Sequence, residues 1–191
     1  EYDSKDNSYD TAAPYDPSAP HTPLVVSVGT MAELKAALTA FSAAGAGSNV
    51  INLTQSFEIK AGETWTPVHV DGYQGADVIT INGNGYTITG LNAPLIGSGF
   101  AGNSGVVIND LTLDKVKIDD AASTLGVGAF IGSIDSMPKI ELNNCHLTNS
   151  TITSTGGARV GGLIGWSSGY DDPNNGPVKT YITIKNCSVE N

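Results

Sequence analysis

Ile108-Asn-Asp-Leu-Thr-Leu113, Leu142-Asn-Asn-Cys-His-Leu147 and Ile184-Lys-Asn-Cys-Ser-Val189 match residue for residue. In each, apolar residues alternate, skip two positions at an Asn/Asp pair, and alternate again. That is a strand, a corner and a second strand. Ile79-Thr-Ile-Asn82 carries the same opening, and a second phrase recurs between the copies: Pro94-Leu-Ile-Gly97, Ala129-Phe-Ile-Gly132 and Gly162-Leu-Ile-Gly165. Repetition at this spacing is the signature of an architecture built from stacked units that cannot bury their apolar faces alone.

Aligned on Ile81, Ile108, Leu142 and Ile184, the copies lie 27, 34 and 42 residues apart. A lean unit needs about 20–30 residues, so the longer copies are expected to bulge out as loops. Gly169–Pro177 is the clearest such loop, being made of turn formers. Stacking predicts three columns: Leu111, Cys145 and Cys187; Leu113, Leu147 and Val189; and Asp110, Asn144 and Asn186 at the corner, where Asn tolerates left-handed geometry. The fold class this implies is all-β, a right-handed parallel β-helix with one N-terminal capping helix.

Thr30-Met-Ala-Glu33 has capping-box spacing, and Leu34, Leu38 and Phe41 form the apolar stripe of a helix over about 30–44. Gly45 supplies a stop, and the stripe is expected to close the end of the stack. Strands are expected at Leu24–Gly29, Asn49–Thr54, Phe57–Ile59, Thr64–Val70 and Tyr86–Thr89. Residues 1–23 hold four prolines and no apolar face, so they read as a flexible acidic arm or tether ahead of a single domain, 24–191, with the coils of the β-helix from about 49. The last copy stops at its corner at Asn191. An uncovered end is an aggregation hazard, so a continuation of the chain or a partner is expected there.

The chain has 191 residues, 40% of them hydrophobic and 7% aromatic, with 23 glycines. Its net charge is −10, from nine Lys plus Arg against 19 Asp plus Glu. Such a surface repels nucleic-acid phosphates and anionic membranes, and no apolar run is long enough for a membrane span. Few lysines, many Thr, Asn and Gly, and a start at Glu1 point to an exported protein, extracellular or on a bacterial cell surface.

Gly161-Gly-Leu-Ile-Gly165 followed by Ile182-Thr-Ile-Lys-Asn-Cys187 resembles the GLUG-type repeats of bacterial surface proteins. The helix at Thr30–Phe41, with Val50-Ile-Asn-Leu53 and Ile79-Thr-Ile-Asn-Gly-Asn-Gly-Tyr-Thr-Ile-Thr-Gly90, is similar to the entrance of pectate-lyase-like β-helices. The resemblance covers about residues 25–191. It implies an exported, adhesin-like surface module, with an upstream lipid anchor as one mode of attachment. Other members of the fold are polysaccharide lyases and glycoside hydrolases.

The residues carry little catalytic signal. A lyase of this kind needs a basic residue near calcium-holding carboxylates, but the lone arginine, Arg159, reads as a solvated loop cation. Lys115 and Lys117 read as offsetting Asp114, Asp119 and Asp120. A hydrolase needs two facing carboxylates, with Asp110, Asp114, Asp119, Asp120 and Glu141 as candidates; Asp110 shares its position with Asn144 and Asn186, which reads as turn geometry. His21, His69 and His146 read as surface residues without a nucleophile. No cofactor is expected. Asp171, Asp172 and Asn174 form the best oxygen-rich loop, and calcium is the metal it would suit.

Trp166 and Tyr170 flank Ser167-Ser-Gly169, where an exposed ring would stack on a sugar and a covered one would pack beneath its own loop. Trp65 has the same two readings. Cys145 and Cys187 are either small buried apolar residues on neighbouring strands or a disulfide. The expected function is a non-catalytic surface module whose partners are glycans or host and cell-surface proteins; the alternative is a calcium-dependent lyase or glycoside hydrolase.

Overall fold

A computed structural model describes residues 23–42, 47–60, 62–71, 76–100, 105–172 and 176–191; of residues 47, 71, 76–77, 100, 170–172 and 176–178 it describes the backbone alone. The flexible-arm reading and the Gly45 stop fall outside them. β1 (Val25–Val28) leads into the helix α1 (Met31–Phe41). The chain then passes repeatedly through the same three sheets in the same order. Sheet 1 takes β1, β2 (Gly47–Leu53), β5 (Ala76–Asn82), β8 (Gly105–Asn109), β13 (Lys139–Asn143) and β20 (Ile182–Lys185). Sheet 2 takes β3 (Phe57–Glu58), β6 (Thr87–Thr89), β9 (Thr112–Asp114), β14 (His146–Thr148) and β21 (Ser188–Glu190). Sheet 3 takes β4 (Val68–Asp71), β7 (Ile96–Phe100), β12 (Ile131–Asp135) and β17 (Ile164–Ser168). All pairings within these sheets are parallel.

The register follows the sequence alignment. Ile51, Ile81, Ile108, Leu142 and Ile184 lie side by side across sheet 1, and Leu113, Leu147 and Val189 across sheet 2. Asp110, Asn144 and Asn186 turn the corner between them with φ of 51°, 53° and 53°, a conformation that Asn and Asp adopt at low cost. Asn144 Nδ2 donates to Asp110 Oδ1 at 2.8 Å. One residue earlier runs a longer amide ladder: Asn82 donates to Asn52 at 2.8 Å, Asn109 to Asn82 at 3.0 Å and Asn143 to Asn109 at 3.0 Å. Lys185 takes the next place in that register and carries no amide.

The extra residues of the longer circuits, expected to be loops, contain short paired strands joined by turns. In the circuit that begins at β8, the chain leaves sheet 2 through β10 (Lys117–Asp120) and β11 (Gly126–Val127); in the next it does so through β15 (Thr151–Ser154) and β16 (Arg159–Val160). β10 pairs with β15 and β11 with β16, both parallel, so the insertions stack on each other as the sheets do. The 42-residue circuit adds an antiparallel hairpin, β18 (Tyr170–Asp172) with β19 (Gly176–Val178), inside the stretch expected to be loop.

α1 lies against β1, β2 and β4, with Leu34, Leu38 and Phe41 buried. The Thr30 hydroxyl accepts from the Glu33 N–H at 3.2 Å, while the Glu33 carboxylate accepts from the Gly29 N–H at 2.8 Å, so the return bond lands one residue before the expected cap. The strand predicted over 64–70 is confined to Val68–Asp71. Pro67 has no N–H to give a ladder, and the Trp65 N–H is taken by Asn92 Oδ1 at 2.9 Å. Trp65 is buried, its indole N–H facing the carbonyls of Pro94 and Leu95 at 3.0 and 3.2 Å and its ring lying 5.7 Å beneath the Lys35 ammonium. That makes it a core residue.

The last circuit is different. Ile182, Ile184 and Val189 are 39%, 49% and 55% exposed, although their neighbours Ile140, Leu142 and Leu147 are buried. In this circuit the same columns carry exposed apolar side chains.

Candidate functional site

The recurring Leu/Phe-Ile-Gly phrase opens each strand of sheet 3 that follows β4; a Cβ on the first glycine, Gly97, would meet the Pro67 side chain at 2.9 Å, and the later two are dictated by close backbone approach. A Cβ on Gly132 would fall on the Gly97 carbonyl oxygen; one on Gly165 would strike the Val127 N–H and lie 2.6 Å from the Gly132 oxygen. The lateral strand β11 rests directly on this column, so only a residue without a side chain fits.

The residue after each of these glycines points away from the core. Register places His69, Ser98, Ser133 and Trp166 side by side across β4, β7, β12 and β17, with neighbours about 4.8 Å apart. The His69 ring nitrogen Nδ1 pairs with Ser98 Oγ. Ser133 is buried under the lateral strands, and Trp166 is half-buried. The Arg159 guanidinium lies 5.6 Å from the Trp166 ring centroid, within cation–π range. Arg159, expected as a solvated loop cation, is exposed but sits in a strand, and it also stacks on this ring. Two positions further along, Asp135 Oδ1 accepts from Ser136 Oγ at 2.9 Å and Ser168 Oγ at 2.8 Å.

Beside this row the lateral strands stand up as a wall. A cleft between them and sheet 3 is lined by Asn92, Pro94, Gly97, Asp119, Asp120 and Ser123, and continues over Ser98 and Ser133 to Leu125. Asp120 shapes that wall by accepting from the N–H groups of Ala122 and Ser123 at 3.1–3.3 Å. The cleft offers the hydroxyls of Ser98, Ser123 and Ser133 and the carboxylates of Asp119 and Asp120 as hydrogen-bonding groups; the Trp166 ring, with the Arg159 guanidinium over it, is next to Ser133 in the register.

The other sequence candidates are placed as follows. Tyr170, Asp171 and Asp172 lie in β18, where only the backbone is described, and Asn174 lies outside the described residues, as does His21. Among the described residues no three His, Cys, Asp or Glu side chains gather to hold a metal. Asp110 accepts from Asn144, Asp119 from Thr153 Oγ1 at 3.0 Å, and Glu141 lies 3.7 Å from Lys139. Asp114 accepts from Asn149 Nδ2 and Thr148 Oγ1, both at 2.8 Å; these bonds hold its carboxyl below the usual value, and the Lys115 charge is a smaller influence.

His146, read as having no nucleophile near it, has Ser188 Oγ 2.8 Å from Nδ1 and Asn144 Oδ1 3.2 Å from Nε2. A ring protonated at Nε2 satisfies both contacts. The pair stands on the outer face of sheet 2, away from the cleft on sheet 3. Cys145 is buried, Cys187 half-buried, and both thiols are free. Burial pushes the Cys145 thiol up to about 12.

The sheet 3 row was not singled out from the sequence, although a signal for it exists. Ser98, Ser133 and Trp166 each directly follow the glycine of the repeated phrase. No protein-family model, curated protein or solved structure matches this chain. No helix among the described residues is long and apolar enough to cross a membrane.

Proposed function

We propose that this chain is a right-handed parallel β-helix that serves as a non-catalytic binding module of an exported cell-surface protein, and that it takes glycans along the cleft of sheet 3. The repeated passage through three parallel sheets in fixed order supports the β-helix reading, and right-handed returns between parallel strands are the overwhelming rule. The GLUG-like and pectate-lyase-like stretches support the surface and export reading.

The observation that carries the ligand class is the cleft lined by Ser98, Ser123, Ser133, Asp119 and Asp120, with Trp166 next to Ser133 in the register. An aromatic ring takes the C–H face of a sugar while adjacent polar groups take its hydroxyls. An enzyme of this fold would instead need carboxylates and a cation converging on one bond. Asp110, Asp114, Asp119 and Glu141 are each engaged with a partner on their own or the neighbouring strand, which favours display over turnover.

A glycan array probed with the wild-type protein and Trp166→Ala tests the reading, with lyase and hydrolase assays run beside it with and without calcium. Binding is expected for the wild type and lost in the variant, whose circular dichroism spectrum stays unchanged. Binding indifferent to Trp166 would remove the assigned site. Turnover abolished by chelation would make the protein an enzyme.

A further inference from the structure

We propose that Cys145 and Cys187 form an oxidation site that closes into a disulfide, tying the last circuit of the chain to the one before it. The register pairs Asn143 with Lys185 and His146 with Ser188, which sets the two cysteines opposite each other on parallel neighbours. That separation is about 4.8 Å between Cα atoms, inside the ~4.4–6.8 Å that a disulfide spans. Cys187 Sγ already lies 3.4 Å from the Cys145 backbone nitrogen.

Both thiols point the same way along the column. Cys145 donates to the Ile108 carbonyl at 3.4 Å and Cys187 to the Leu142 carbonyl at 3.3 Å. These are weak donors, so rotating the Cys145 side chain toward Cys187 gives up little. Cys187 lies between β20 and β21, which carry the exposed Ile182, Ile184 and Val189.

The two thiols divide the chemistry. Cys187 is half-buried and meets a small disulfide first; its thiolate attacks one sulfur of that reagent and releases one thiol. Cys145 is buried, and its raised pKa makes it a poor first attacker. It acts second, attacking the Cys187 sulfur and releasing the other thiol. Two cysteine S–H bonds are lost, one S–S bond forms, and the two electrons pass to the reagent disulfide. The bridge links residues 42 apart and so restricts the unfolded chain while holding β20 and β21 in place.

The reduced protein is equilibrated with glutathione and glutathione disulfide over a range of ratios, quenched with acid, and its thiols are counted after denaturation. Both thiols are expected to disappear together in a monomer whose mass falls by two hydrogens, with a peptide joining Cys145 to Cys187. Cys145→Ala is expected to stop at a glutathione adduct on Cys187. Amide exchange in β20 and β21 is expected to slow on oxidation while the inner strands are unaffected. A wild-type protein that keeps both thiols at the most oxidising ratio would overturn the proposal. So would one that halts at the Cys187 adduct, links two chains, or exchanges its β21 amides equally fast in both states.

Discussion

Asn143 Nδ2 donates to Asn109 Oδ1 at 3.0 Å, and the two residues are 34 apart in sequence. Asn109 in turn donates to Asn82, so one side chain holds both of its neighbours. Asn109→Ala leaves an acceptor on Asn82 and a donor on Asn143 unpaired in partly buried surroundings. It is expected to destabilise by about 1–3 kcal/mol, read as a lower urea midpoint at unchanged slope.

Leu142 and Ile184 occupy the same column, one buried and one 49% exposed. Leu142→Ala is expected to cost about 2–5 kcal/mol, the range for emptying a tight core position. Ile184→Ala loses less burial and leaves no enclosed cavity, so its cost in the same urea titration is expected to be well below that of Leu142→Ala. Equal costs would mean that the column is not the core.

Gly132→Ala places a methyl group on the Gly97 carbonyl oxygen. Overpacking of this kind is expected to cost about 1–3 kcal/mol or more. Ser133→Ala next door, on the outward side, is expected to be milder in thermal melts and to weaken ligand binding.

Two carboxylates set the acid response. Glu33 is held below its ordinary value of 4.5, first by the Gly29 N–H and then by Thr30; Asp114 is held below 3.8, first by Asn149 and then by Thr148. Both bind fewer protons when folded than when unfolded. Their stabilisation is therefore complete above those ordinary values and is lost as pH falls through the lower folded ones. Chemical denaturation between pH 2 and 6 is expected to show a shallower acid limb in Glu33→Gln and Asp114→Asn than in the wild type.

Alternation within a strand and a skip at its corner are local patterns, so Ile108, Leu142 and Ile184 reveal their shared register from the sequence alone, and so do the Asp110 and Asn144 corners. Partners contributed by other circuits are harder to see. Trp65 reads as an ambiguous aromatic until Asn92, Pro94 and Leu95 arrive from the next circuit to take its N–H groups. The hydroxyl that meets the His146 ring does not come from its sequence neighbours; Ser188 supplies it from 42 residues away. The lateral strands β10 and β15 escaped notice because each is only four residues long and gains its ladder solely from the other. Arg159 is exposed, as read, but nothing local to it announces the Trp166 ring on which it stacks.

The glycine column under β11 separates two tasks that most folds entangle. Material added between sheet 2 and sheet 3 crosses bare backbone at Gly132 and Gly165, while Ile118 and Val127 tie it to the common core. Successive copies can therefore differ in length at this flank, as 27, 34 and 42 residues illustrate. Diversification of such a protein is cheap at its flank, provided one position per copy stays glycine.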